Sequence, residues 1–305
     1  MYKIIIIILI CISVKFLYHY DIFTYIAINI NPSHYFNKAY KNLPRVKCKY
    51  PVIVCMTTTP IRFDNCKYTI ASILNQTVKV DQIRLHIPNR SDYIIPKWLI
   101  SLAHNIKEVN VIRCDRDWGP ATKLIPVLLD KDIDTNSCII YIDDDMIYNK
   151  NTIETLVSYS NIYPKSAICN KGWNIDKYPE NKINLFSDYL LGLFTEKKRY
   201  VDIIQGFSAV LVKSSFFDVK KLIDTDRYPK EAFFVDDVVI SGNLNDNNID
   251  RISTCIPSSL PYIREIVNEM FKKPTSLATI HNKNKRNDKI TANFFRWKKQ
   301  IKFKV

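Results

Sequence analysis

From Pro51 onward, short apolar runs alternate with stretches whose apolar residues recur every three or four positions. This is the pattern of buried strands alternating with amphipathic helices. Val52 to Met56 reads as a buried strand, and Asp64 then caps a helix whose Cys66, Ile70, Ile73 and Leu74 share one face. Gln82 to Ile87 and Val109 to Arg113 read as the next strands, each followed by a helix, over Pro96 to Ala103 and Ala121 to Leu129. A fourth strand covers Cys138 to Ile142, and Asn151 opens a helix with Ile153, Leu156 and Val157 inward. Such a succession predicts an α/β fold, a single domain with a mostly parallel central sheet flanked by helices. Further strands are expected at Ala167 to Cys169 and Phe207 to Val212, and helices at Ser214 to Ile223 and Val238 to Leu244.

The fourth strand ends abruptly in Asp143-Asp144-Asp145. Unpaired carboxylates repel and are costly to desolvate, so a buried strand gains nothing from this ending unless a cation joins it. If the strand continued, Asp143 and Asp145 would share one side and Asp144 would face the other. Two carboxylates so placed suit a divalent cation whose shell is completed by phosphate oxygens. In open α/β sheets ligands bind outside the carboxyl ends of the strands. Thr57 to Arg62 and Asp115 to Lys123 fall at such ends as well, so three polar clusters are expected on one rim.

The chain carries 44 Lys and Arg against 30 Asp and Glu, a net charge of +14. That excess suits an anionic partner. Nucleic acid is disfavoured, because no reader motif and no basic helix with interleaved aromatics is present. The five glycines, at 119, 172, 192, 206 and 242, are too far apart for a GxGxxG fingerprint or a phosphate-binding GxxxxGK[ST] loop. None of the eight cysteines forms a CxxC pair. Cys48, Cys66, Cys114 and Cys255 are candidates for disulfides, whereas Cys55, Cys138 and Cys169 sit in apolar runs as core residues.

Residues 1–30 read as an uncleaved signal anchor, the alternative being a buried N-terminal strand or helix. Residues 31–50 then form a stem, residues 51–290 the α/β domain and residues 291–305 a basic tail. Such an anchor implies a single-pass type II membrane protein facing a secretory lumen in a eukaryotic host. Asn75 and Asn89 head glycosylation sequons that matter only in that setting.

The Asp143-Asp144-Asp145 run resembles the DxD signature of GT-A fold glycosyltransferases, and the chain as a whole is similar to their family 2-like members. The resemblance covers roughly residues 51–255 and extends toward His281. It implies a GT-A-like, Rossmann-like domain that takes a nucleotide sugar, a UDP-sugar in preference, with Mn2+ or Mg2+. The acceptor would be a glycan, protein or lipid hydroxyl. In this family Asp143 and Asp145 correspond to metal-side carboxylates, and a late histidine, here His281, completes the shell. Thr57, Thr58 and Arg62 would lie near the nucleoside, Asp117 near base or ribose, Lys123 at the phosphates, and Asp144 at the donor sugar or ribose. Asp236-Asp237 resembles the acidic pair of inverting members. Asp237 is the first choice as catalytic base and Asp236 the second, while N-capping of the following helix explains the same two acids. Aromatics between Lys171 and Lys198 suit an acceptor-side wall or a second hydrophobic cluster.

Two other classes fit parts of the pattern. An HAD-like phosphohydrolase would use Asp143 as nucleophile with Lys213 and Asp236-Asp237 around it, although that family's nucleophile follows its first strand. An inactive nucleotide-sugar-binding module would keep the same rim without transfer.

Overall fold

Alternation along the first strand divides the core in two. Val52, Val54 and Met56 pack into one apolar cluster, and Ile53 and Cys55 into another on the opposite face. A strand buried on both faces needs layers on both sides. The computed structural model describes residues 2–19, 21–36, 38–175, 199–254, 259–271 and 286–298. Its strands are β1 (Val52–Thr57), β2 (Gln82–Pro88), β3 (Val109–Cys114), β4 (Cys138–Tyr141), β5 (Met146–Tyr148) and β6 (Ser166–Cys169). There follow β7 (Gly172–Trp173), β8 (Arg199–Tyr200), β9 (Ile203–Ile204), β10 (Val210–Val212), β11 (Asp250–Ser253) and β12 (Ser259–Pro261). Helices α1 (Tyr2–His19) and α2 (Ile22–Ile30) precede the sheet; α3 (Cys66–Leu74), α4 (Lys97–Asn105), α5 (Ile125–Leu129) and α6 (Thr152–Ile162) alternate with its strands. Later come α7 (Val219–Ile223), α8 (Asp236–Asp246), α9 (Ile263–Met270) and α10 (Arg286–Phe294).

Among the described residues eight strands form one sheet in the order β3-β2-β1-β4-β10-β6-β11-β8. The first four are parallel, with Val54 opposite both Ile83 and Ile140. β10 runs antiparallel between β4 and β6, which the apolar pattern of Phe207 to Val212 does not reveal. The expected mostly parallel sheet flanked by helices is therefore present. Helices α3, α4 and α6 supply the first cluster, and α5, α7 and α8 the second.

The strand order places the site. From β1 the chain moves outward to β2 and β3, then returns to lay β4 on the other side of β1. The order thus reverses between β1 and β4, the switch point where open sheets hold ligands. Thr57 ends β1 and the three aspartates follow β4.

Several boundaries differ from expectation. Asn65 rather than Asp64 precedes α3. The helix expected over Ala121 to Leu129 divides into a 3-10 turn, Gly119–Lys123, and α5, with Pro126 in the first turn of α5. Residues 31–50, read as a stem, carry Tyr40 and Val46 into the first cluster. Val46 donates to Lys79 O, and Val80 N donates to the Tyr40 hydroxyl. At the other end, Trp297 donates to Ala292 O and Asn245 of α8 to Arg296 O, which ties the tail to the domain.

The anchor reading is not supported. Among the described residues no helix is long and apolar enough to cross a membrane. The 18-residue α1 nevertheless leaves Ile4 through Ile10 exposed.

His86 on β2 is fully buried, with Nδ1 3.3 Å from Lys123 O and no partner for Nε2. Burial pushes its pKa down to about 4. The unfolded chain binds a proton near pH 6.5 that the folded one refuses, so this stabilisation is complete above pH 6.5 and is lost as pH falls toward 4. The loss should reach roughly 3 kcal/mol. Urea unfolding at several pH values, compared with His86→Gln, should show a slope smaller by about one proton in the variant. The comparison separates His86 from Asp145, whose raised pKa acts in the opposite sense.

Candidate functional site

β4 ends at Tyr141, and the three aspartates occupy the turn before β5. The alternation expected of a continuing strand therefore does not apply. Asp143 points toward Lys123, with Nζ 2.5 Å from Oδ1. Asp144 and Asp145 instead converge on one guanidinium: Arg62 Nη2 lies 3.0 Å from Asp144 Oδ1 and 2.8 Å from Asp145 Oδ2. Tyr148 holds the turn, its hydroxyl accepting from Asp143 N at 3.1 Å and donating to Phe207 O.

Arg62 reaches this position from the 3-10 turn Pro60–Arg62 that follows β1. Thr58 Oγ1 donates to Asp144 Oδ2 at 2.5 Å. Both oxygens of Asp144 are thus engaged within the protein, and its side chain is only 8% exposed. The expectation that it faces a donor sugar or ribose is corrected: it positions Thr58 and Arg62. Asp145 keeps a buried oxygen, Oδ1, without a hydrogen-bond partner. Burial, with Asp143 and Asp144 nearby, raises its pKa to about 6 against the opposing pull of Arg62.

Lys123 joins the two acidic motifs. It ends the turn Gly119–Lys123 after β3, and its side chain is 4% exposed. Its ammonium also lies 2.9 Å from Asp236 Oδ2, linking positions far apart in sequence. Burial alone would lower its pKa, but Asp143, Asp236 and Asp237 outweigh that and hold it well above the usual lysine value. Gly119 enters the turn at φ +60, a conformation that L side chains rarely adopt.

Asp236 and Asp237 form the first turn of α8, whose N-cap residue is Val235 with no side-chain cap bond. The N-capping alternative therefore does not describe them. Asp237 Oδ1 accepts from Gly206 N at 2.9 Å. Burial, then the adjacent Asp236, pushes the Asp237 carboxyl well above the usual carboxylate range. Asp236 is raised too, less so because Lys123 opposes its burial.

Five carboxylates, at 143, 144, 145, 236 and 237, thus surround two cations, Arg62 and Lys123. The surplus negative charge and the orphaned Asp145 oxygen fit a hard divalent cation. Among the described residues no group of three or more His, Cys, Asp or Glu is arranged to hold one. Further ligands from outside the described residues would have to complete the shell.

The remaining expected residues lie apart or beyond view. Thr57 ends β1 half-buried. Asp117 turns back to accept from Gly119 N at 2.8 Å and pairs with exposed Arg90 at 3.3 Å. His281, Cys255 and residues 176–198 of the expected acceptor wall lie outside the described residues.

No family model matches the chain, and no curated protein matches it. Solved structures similar in fold include the following two. One is the crystal structure of GalNAc-T7 with UDP, GalNAc and Mn2+, 12% identical, with a TM-score of 0.46 over 68% of this chain and 42% of that one. The other is the mannosyltransferase PcManGT from Pyrobaculum calidifontis in complex with GDP-Man and Mn2+. It is 11% identical, with a TM-score of 0.41 over 77% of this chain and 73% of that one. Both likenesses are distant, and the site is read from its own residues.

Lys213, required by the phosphohydrolase reading, is misplaced. It follows β10, whose Val212 pairs with Ile139 near the start of β4, so it leaves the sheet at the end away from Asp143. There it donates to Pro164 O. Two site residues escaped the sequence reading. A Cβ on Gly206 would lie 2.6 Å from Lys123 Nζ and 3.1 Å from Asp237 Oδ1, so the backbone must approach here without a side chain. The scarcity of glycine was an available signal. Tyr148 carried none, because its role depends on the turn that returns β5 beneath Asp143.

Proposed function

We propose that the chain is a metal-dependent glycosyltransferase of GT-A architecture, moving a sugar from a nucleotide-sugar donor to an acceptor hydroxyl with inversion. The observation that carries this reading is Lys123, a buried ammonium spanning Asp143 and Asp236 at the carboxyl end of the sheet. It brings Asp143 of the triple aspartate and Asp236 of the second acidic pair into one site.

Asp143 and Asp145 would hold Mn2+ or Mg2+ together with the donor phosphates, and Lys123 would add a compact positive charge to the diphosphate. A bound divalent cation supplies Lewis-acid stabilisation of the departing nucleoside diphosphate. Thr57 and Asp117 would contact the nucleoside, and a UDP-sugar is the preferred donor. Asp237 takes the acceptor hydroxyl's proton as that oxygen bonds to the anomeric carbon and the diphosphate leaves with its electron pair. Gly206 N fixes the carboxylate for that role.

A thermal-shift panel of nucleoside diphosphates, with and without Mn2+, tests the reading. Stabilisation by a nucleotide only when the metal is present is expected, equivalent to about 2.7 kcal/mol at a ligand concentration of one hundred times Kd. A panel in which no nucleotide acts through the metal would overturn it.

A further inference from the structure

Two thiols outside the site lie against one another. Cys48 Sγ is 3.5 Å from Cys138 Sγ, although the residues are 90 positions apart. We propose that Cys48 and Cys138 form a redox-controlled disulfide that staples the segment preceding the sheet to the start of β4.

The surrounding backbone holds the pair in register. On the Cys48 side, Val46 N donates to Lys79 O, Cys48 N to Val46 O at 2.9 Å, and Asn161 Nδ2 to Lys47 O at 3.0 Å. Opposite, Cys138 N donates to Pro51 O at 2.8 Å, and its residue pairs with Val52 of β1. The Cys48 segment is held by Lys79 and by Asn161 of α6, and Cys138 by the start of β1, so the thiols meet through the fold and not through two mobile side chains. A bond requires the sulfurs to close from 3.5 Å to about 2.05 Å, a movement within reach of side-chain rotation.

The two cysteines divide the chemistry. Cys48 is half-buried, and Cys138 is only 2% exposed. Burial, and then Cys48 beside it, pushes the Cys138 thiol up to about 12. The first attack therefore falls to Cys48. Its thiolate attacks one sulfur of a small-molecule disulfide and expels a thiolate, leaving a mixed disulfide. Cys138, deprotonated, then attacks Cys48 Sγ and expels the second thiolate. The two protons lost by the cysteines pass to the two small thiolates, so one external disulfide is reduced to two thiols as one protein disulfide forms. β4 carries the aspartates at its far end, so the staple acts on the stability of the sheet and leaves the rim intact.

The test treats the reduced full-length chain with oxidised glutathione and maps peptides without reduction. A Cys48–Cys138 cross-link should form, dithiothreitol should remove it, and Tm should be higher by roughly 5 °C in the oxidised form. Cys48→Ser, at the more exposed position, should abolish both the cross-link and the shift. Glutathione stopping as a mixed disulfide on Cys48 would overturn the proposal, as would linkage among other cysteines or an unchanged Tm in a cross-linked chain.

Discussion

Asp237→Asn should reduce sugar transfer by about 10³-fold while leaving metal-dependent nucleotide binding near the wild-type level. The amide keeps the shape of the carboxylate, and its oxygen still accepts from Gly206 N. It cannot take a proton. A carboxyl already raised by burial and by Asp236 becomes an effective base once ionised, because the environment that resists its charge also favours its protonation. Asp236→Asn tests the second choice. Asp236 is tied to Lys123, so its replacement should weaken binding as well as turnover, whereas Asp237→Asn should alter turnover alone. Steady-state kinetics beside a nucleotide titration separates the two outcomes. Retained transfer in Asp237→Asn would move the base to Asp236.

Lys123→Met should destabilise the fold by roughly 3–5 kcal/mol, because it removes one partner of a buried ionic cluster and leaves the others uncompensated. Methionine keeps the length of the stem while deleting the ammonium that lies against Asp143 and Asp236. The surviving carboxylates resist ionisation, so the loss should be largest at high pH and shrink as protons neutralise them. The expected sign follows from Lys123 itself, held charged by Asp143, Asp236 and Asp237 against its burial. Chemical denaturation at pH 5 and pH 8 measures the difference. Nucleotide affinity should fall with the same substitution even under conditions where the variant stays folded. A variant as stable as wild type at both pH values would show that the cluster is solvated.

Much of this was legible before the structure, for identifiable reasons. Strands buried on both faces leave continuous apolar runs, so β1, β2 and β4 could be read directly, and the parallel order followed from the helices between them. Asp143 to Asp145 and Asp236-Asp237 stood out because carboxylates directly after apolar runs conflict with burial. The meeting of Asp143 and Asp236 at Lys123 was not legible, since it depends on β10 entering antiparallel and on α8 bringing Asp236 back to Lys123. The assignment of Asp143 and Asp145 to one side failed locally. It assumed extended backbone through residues that turn, and Arg62 gathered Asp144 and Asp145 instead. Gly206 was marked only by the scarcity of glycine, one of five in the chain, because a side chain that must be absent leaves no other chemical mark.

The five-carboxylate rim is expected to bind a nucleotide sugar through a divalent cation and to transfer the sugar. Nucleoside diphosphate release from a panel of nucleotide sugars, with Mn2+ or with a chelator, tests it most directly. Release is expected with at least one UDP-sugar or other nucleotide sugar, lost with the chelator and lost in Asp143→Asn. Release that persists with the chelator and in Asp143→Asn would contradict it.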